Sequence, residues 1–169
     1  MTHKTMSVLD IHSGDLLAWG ENPYSAMSDL FIKFIRALTS AEYGHVGIAW
    51  RAHDGHEDEL LVIEATIPKI QISRATSDRY FYCIPMGVEW GSRNKEFLMS
   101  KIGLSYGVTD AVRAFFGMTT KRDDKWQCAE LAHAFFEESG ILLPKEYKPV
   151  EVVRNAIALR QTEVYRVLI

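Results

Sequence analysis

Apolar and polar positions along this chain follow two periods, and those periods predict its elements. Ser13-Gly14-Asp15 has turn composition, and Leu16-Leu17-Ala18-Trp19 after it is a short apolar run of strand length, ended by Gly20-Glu21-Asn22-Pro23. Met27, Leu30, Phe31, Phe34, Ile35 and Leu38 then recur at i, i+3, i+4, i+7 spacing, the mark of an amphipathic helix. Its other face carries Asp29, Lys33 and Arg36, too little basic charge for a membrane-lying helix, so core packing is the reading. His45 to Trp50 and Leu60 to Thr66 read as strands joined by the polar, Gly-containing loop Ala52 to Asp58, an antiparallel hairpin. Lys69 to Arg74 alternates, with Ile70 and Ile72 on one face, and Arg79 to Ile84 is a further strand closed by Pro85.

Helical spacing dominates the second half. Ser92 is placed to cap a helix over Lys95 to Ile102, which Gly103-Leu104-Ser105-Tyr106-Gly107 breaks. Thr109 or Asp110 caps a second helix through Phe116, ended by Gly117, and the charged loop Lys121 to Lys125 comes next. From Trp126 onward Leu131, Ala132, Phe135 and Phe136 recur at helical spacing, and Gly140 stands where a helix stop belongs. Pro144 and Pro149 bracket a loop, Val150 to Leu159 is helical, and Val164 to Ile169 is a last strand. The expected architecture is α+β, with a mainly antiparallel sheet central in the sequence.

Composition narrows the picture. The 169 residues fit one domain, 1–169, and 47% hydrophobic content supplies a core. Net charge is −3, with 19 basic against 22 acidic residues and no basic tract, so a nucleic-acid partner is not expected. Met1 to Ser13 lacks the apolar run of a signal peptide, and no stretch is long enough to span a bilayer. Two cysteines, Cys83 and Cys128, are too few for a disulfide framework. A cytoplasmic, reducing location is the default expectation, with a phage-borne or delivered protein as the alternative.

The candidate chemistry starts at Cys128, in the first turn of the last-named long helix. Unpaired backbone N–H groups and the helix dipole there favour a thiolate, which is the nucleophilic form. The alternative is a small buried core residue. His45 opens a strand in which Gly47 and Ala49 share its face, while Val46, Ile48 and Trp50 take the other. Small residues beside His45 leave room for close packing on that face, such as the start of a helix; the alternative, and the commoner case for a lone histidine, is a satisfied structural residue. Glu64 lies inside an apolar strand, where an unpaired carboxylate is costly. Either it sits solvated at a strand edge or it has a partner, and the imidazole on the neighbouring strand is a natural one. The two share a face only if directly opposed residues have numbers with an odd sum, as in 45 with 64 or 47 with 64. Together these residues suggest a Cys–His–carboxylate relay, with the Cys128 N–H and one more donor holding an oxyanion.

Gly44-His45-Val46-Gly47-Ile48, Val62-Ile63-Glu64-Ala65 and Gln127-Cys128-Ala129-Glu130-Leu131, in that order, resemble the permuted NlpC-type papain-like proteins. That group includes the YiiX-type bacterial proteins and the lecithin–retinol acyltransferase-like enzymes. In non-permuted members the cysteine helix comes first; here His45 precedes Cys128. Ser13-Gly14-Asp15-Leu16-Leu17 is similar to the group's opening Gly-Asp strand, and Leu104-Ser105-Tyr106-Gly107 to a segment preceding the cysteine. The resemblance covers most of residues 13 to 140. It implies a papain-like, circularly permuted fold with the nucleophile helix against the sheet. It also implies Cys128 as nucleophile, His45 as base, Glu64 as the third polar residue, and Tyr106 and Gln127 on the substrate and oxyanion side. Tyr106 has a second reading, as a core tyrosine. The implied activity is a cysteine peptidase or amidase with no cofactor and no metal, acting on a peptide or acyl-amide such as a peptidoglycan stem. Alternatives are a lipid acyltransferase or deacylase with the same residues, and an inactive binding module. Ala129 stands where Ser or Glu is commoner in the family, which leaves substrate preference open.

Other constellations rank lower. His53 and His56 with Asp54, Glu57 and Asp58 are better explained as an exposed hairpin tip than as metal ligands. His133, five residues after Cys128, lies about 140° around the helix and is a poor base for it. Cys83, among aromatics, reads as inert core.

Overall fold

A computed structural model describes residues 4–20, 42–53, 58–75, 81–107, 125–145 and 148–168. The expected helices over Met27 to Leu38 and up to Phe116 lie outside the described residues, as do loop residues 54–57 and 121–124. Among the described residues seven strands form one sheet: β1 (Lys4–Ser7), β2 (Leu16–Trp19), β3 (His45–His53), β4 (Asp58–Ala65), β5 (Ile70–Arg74), β6 (Tyr82–Ile84) and β7 (Tyr165–Leu168). Their order is β1-β7-β6-β2-β3-β4-β5, and every neighbouring pair is antiparallel except β1 with β7. Three α-helices lie among the described residues: α1 (Ser92–Lys101), α2 (Cys128–Glu138) and α3 (Pro149–Arg160). The protein is thus α+β with a mostly antiparallel sheet.

Several boundaries differ from the sequence expectations for local reasons. No sequence pattern marks β1, because its residues are mostly exposed and carry no apolar alternation; pairing with β7 alone defines it. α1 starts three residues earlier than expected, and Gly91, not Ser92, holds the cap position. The Asn94 side chain closes that end by accepting the Gly91 N–H at 3.0 Å. α3 begins on Pro149 rather than after it, since a first-turn proline has no N–H to leave unpaired.

The pleat sorts the sheet into two apolar layers. Leu16, Ala18, Val46, Ile48, Ile63, Ala65, Ile70 and Ile84 form one face and pack with the buried sides of the three helices. On α2 that side is Cys128, Ala129, Leu131, Ala132, Phe135 and Phe136. Leu17, Trp19, Ala49, Val62 and Cys83 point the other way and cluster with Ile11, Leu60, Phe81 and Val167. The expectation that a helix would start against the Gly47 and Ala49 face is therefore corrected: α2 covers the Val46 and Ile48 face. The room beside Gly47 is filled from the neighbouring strand instead. A Cβ on Gly47 would lie 2.7 Å from Val62 Cγ1 and 3.3 Å from Glu64 Cβ, so only hydrogen fits.

Asp15 pins the start of β2 to the segment after β6. Its Oδ2 accepts the His12 N–H and its Oδ1 the Met86 N–H, each at 2.9 Å. Gly14 ahead of it has φ +92°, and a Cβ there would sit 2.7 Å from the Val88 Cβ, so both conformation and space demand glycine.

Candidate active site

Register brings the first two site residues together. Ile48 faces Ile63 and Ala49 faces Val62, an odd-sum register, and one step further sets Gly47 opposite Glu64. His45 and Glu64 therefore share a face as diagonal neighbours, a separation a glutamate side chain can span. The imidazole Nε2 lies 2.6 Å from Glu64 Oε2. Both side chains are out of solvent, His45 at 3% exposure and Glu64 at 0%. Trp19, directly opposite His45 on β2, walls the imidazole with ring centroids 5.6 Å apart. The second Glu64 oxygen, Oε1, accepts a hydrogen bond from Ser73 Oγ at 2.7 Å. So the carboxylate is not an edge group in water; it is buried and bonded at both oxygens.

Cys128 is the first residue of α2, and Gln127 is its cap residue. His45 opens β3 at the end of the sheet, where a side chain from one face can meet a helix that starts over the other. The imidazole and the Cys128 sulfur lie close enough for each to shift the other's pKa. With Nε2 engaged by Glu64, Nδ1 is the ring nitrogen left for the sulfur. The backbone N–H groups of Val46 and Ala129 also favour the charged sulfur.

Electrostatics follow from this enclosure. Burial pushes the Cys128 thiol up, but the hydrogen bond and charge of His45, with the two backbone donors, outweigh it and bring the thiol below its ordinary value. Burial pushes the His45 pKa down, yet hydrogen bonds and charges of Cys128 and Glu64 reverse the sign and raise it to about 10. The pair thus favours thiolate and imidazolium over thiol and imidazole.

Tyr106 stands beside the chain that leads into α2. It bridges Trp126 in parallel fashion, flanked by Trp126 N–H to Ser105 O at 2.9 Å and Gly107 N–H to Trp126 O at 3.1 Å. Burial, then the nearby Cys128 charge, raises its pKa, so the phenol stays a neutral donor. Gln127 is 3% exposed, and its buried Nε2 has no hydrogen-bond partner among the described residues. Such a donor beside the Cys128 thiol is placed to meet a ligand oxygen.

The remaining candidates separate cleanly. His133 Nε2 donates to the Leu143 carbonyl at 2.9 Å and serves structure. Cys83 is buried, its thiol pushed up by burial and by Asp15. Among the described residues no group of three or more His, Cys, Asp or Glu is placed to hold a metal ion. The residue that sequence reasoning missed is Ser73. Its partial signal was the alternation of β5, which puts Gln71 and Ser73 on one face; the register that pairs Gln71 with Glu64 then makes it Glu64's face. Compared with known families and curated proteins, the chain matches no family model and no curated sequence. No described helix is long and apolar enough to cross a membrane.

Proposed function

We propose that this protein is a cysteine hydrolase of the papain-like, circularly permuted NlpC type, cleaving an amide or peptide bond through a Cys128–His45–Glu64 relay. The observation that carries the reading is the buried His45 imidazole bonded to Glu64 Oε2 at 2.6 Å, with Cys128 at a helix start close enough to shift its pKa. The Cys128 thiolate attacks the substrate carbonyl and its C–S bond forms as the carbonyl π pair moves to oxygen. The Cys128 N–H, with Gln127 Nε2 or the Tyr106 hydroxyl as a second donor, holds that oxyanion. As it collapses, His45 gives its proton to the departing amine and a thioester remains. His45 then removes a proton from water, which attacks the thioester and releases the acid. A peptidoglycan stem peptide is the substrate that the family resemblance suggests.

One observation favours a second reading, a non-catalytic module on the same frame: Cys128 is only 6% exposed. Iodoacetamide alkylation across pH separates the two. On the first reading Cys128 labels quickly well below the ordinary thiol range, His45→Ala moves labelling toward that range, and Cys128→Ala leaves only slow labelling. Cys128→Ala also abolishes hydrolysis of a cell-wall peptide while leaving the fold intact. Equally slow labelling of Cys83 and Cys128 overturns the proposal and leaves the module.

A further inference from the structure

Glu64 reaches two diagonal neighbours at once. Gly47 and Gln71 flank it directly, on β3 and β5; His45 lies two residues from the first and Ser73 two residues from the second. β3 and β5 both run antiparallel to β4, so these neighbours stand toward opposite ends of the β4 strand. The carboxylate is stretched between them, Oε2 to the imidazole at 2.6 Å and Oε1 to the Ser73 hydroxyl at 2.7 Å. A carboxylate with one bonded oxygen can still rotate about its last torsion, whose well is broad. A second bond at the far oxygen fixes its plane. It also supplies an acceptor site with its donor in a place where water does not reach, since Glu64 is fully buried.

We infer that Ser73 is the fourth member of the relay, a positioning residue that orients Glu64 and through it the imidazolium facing Cys128. This rests on the hydrolase reading above. Ser73 touches neither sulfur nor substrate; its effect passes through one carboxylate. Without the hydroxyl, Oε1 is left buried and unbonded, Glu64 turns, and the imidazolium loses part of its anchor. The thiolate, which depends on that imidazolium, then forms at higher pH.

The test is the pH profile of Cys128 alkylation by iodoacetamide in the full chain, with a thermal melt on each variant. Ser73→Ala is expected to move the acid limb of the profile upward by about half a pH unit, roughly a threefold loss of rate there. Ser73→Thr, which keeps the hydroxyl, is expected to track the parent. Ser73→Val, its near-isosteric partner without the hydroxyl, is expected to track Ser73→Ala and stands in for it should the alanine variant fail to fold. In a Glu64→Gln background, Ser73→Ala is expected to add no further shift, because the group it orients is gone. An unmoved acid limb in folded Ser73→Ala, or equal shifts in the threonine and valine variants, overturns the assignment. The two levels fail differently. If His45→Ala leaves the Cys128 profile unchanged, the relay itself is wrong; if His45→Ala shifts it and Ser73→Ala does not, only Ser73's role is.

Discussion

At the scale of single residues, two opposed titrations define when the site is charged. The His45 proton is held to about 10 against an ordinary 6.5, so its stabilisation is whole below 6.5 and is lost as pH rises through about 10. The Cys128 thiolate runs the other way: its stabilisation is present above the ordinary 9.0 and is lost as pH falls through its lowered value. Between the lowered cysteine value and 9.0 the loss from one is offset by the gain from the other. Above 9.0 the cysteine has nothing more to gain, and only the histidine's loss remains. Denaturant unfolding is therefore expected to show stability falling from pH 9.0 to about 10, with that fall reduced in His45→Gln. Gly47 yields a steric prediction. An alanine there meets Val62 Cγ1 at 2.7 Å, and overpacking of this kind costs about 1–3 kcal/mol. The same methyl crowds the Glu64 Cβ, so Gly47→Ala should both lower stability and slow Cys128 alkylation. Adding Val62→Ala should restore part of the stability; a double variant no better than the single one would sink the steric account.

At the scale of elements, α2 does two jobs with one surface. Cys128, Leu131, Ala132, Phe135 and Phe136 recur on its buried side, so the residues that anchor the helix also decide where its first turn lies. Phe135 is completely buried, and Phe135→Ala is expected to cost about 3–5 kcal/mol by transfer and cavity. Glu137 on the exposed side should tolerate alanine with little change. If thermal melts place both variants together, the helix does not carry the core as described. The hairpin of β3 and β4 is the second positioning element. Its register alone decides whether His45 and Glu64 meet, because a slip of one residue turns every side chain over.

At the scale of the whole molecule, the sheet joins two ends of the chain. β1 runs parallel to β7, and β7 also pairs with β6. Arg51 on β3 ties in the segment after β1 through hydrogen bonds to the carbonyls of Ile11, at 3.1 Å, and Val8. Removing residues 165–169 takes away the partner of β1 and bares one side of β6. Faster proteolysis of Lys4 to Ser7 and a lower melting temperature are expected. The proposed relay takes His45, Glu64 and Ser73 from β3, β4 and β5 and Cys128 from α2, none of them in the damaged edge, so the pH profile of Cys128 alkylation should survive at temperatures where the truncated chain folds. Its loss there would mean that the sheet holds the site only as a whole.

Much of this was legible in local pattern. Short apolar runs marked β2 to β4, alternation marked β5 and period-3.6 apolar spacing marked α2, because burial is written into neighbouring residues. The odd-sum condition on the hairpin was a parity argument that needs no coordinates, and the 48–63 register satisfies it. Two things needed the folded chain. Nothing near β1 announced it, since an exposed edge strand exists only through its partner. Nor could local pattern say which side of the sheet α2 covers: Gly47 reads equally as a place for a helix and as a hole for Val62. That choice is made by contacts between residues far apart in the chain, which compete through total buried surface rather than through any neighbour's identity. For the same reason Ser73, one small polar residue on an alternating strand, gained its meaning only once Glu64 was set against it.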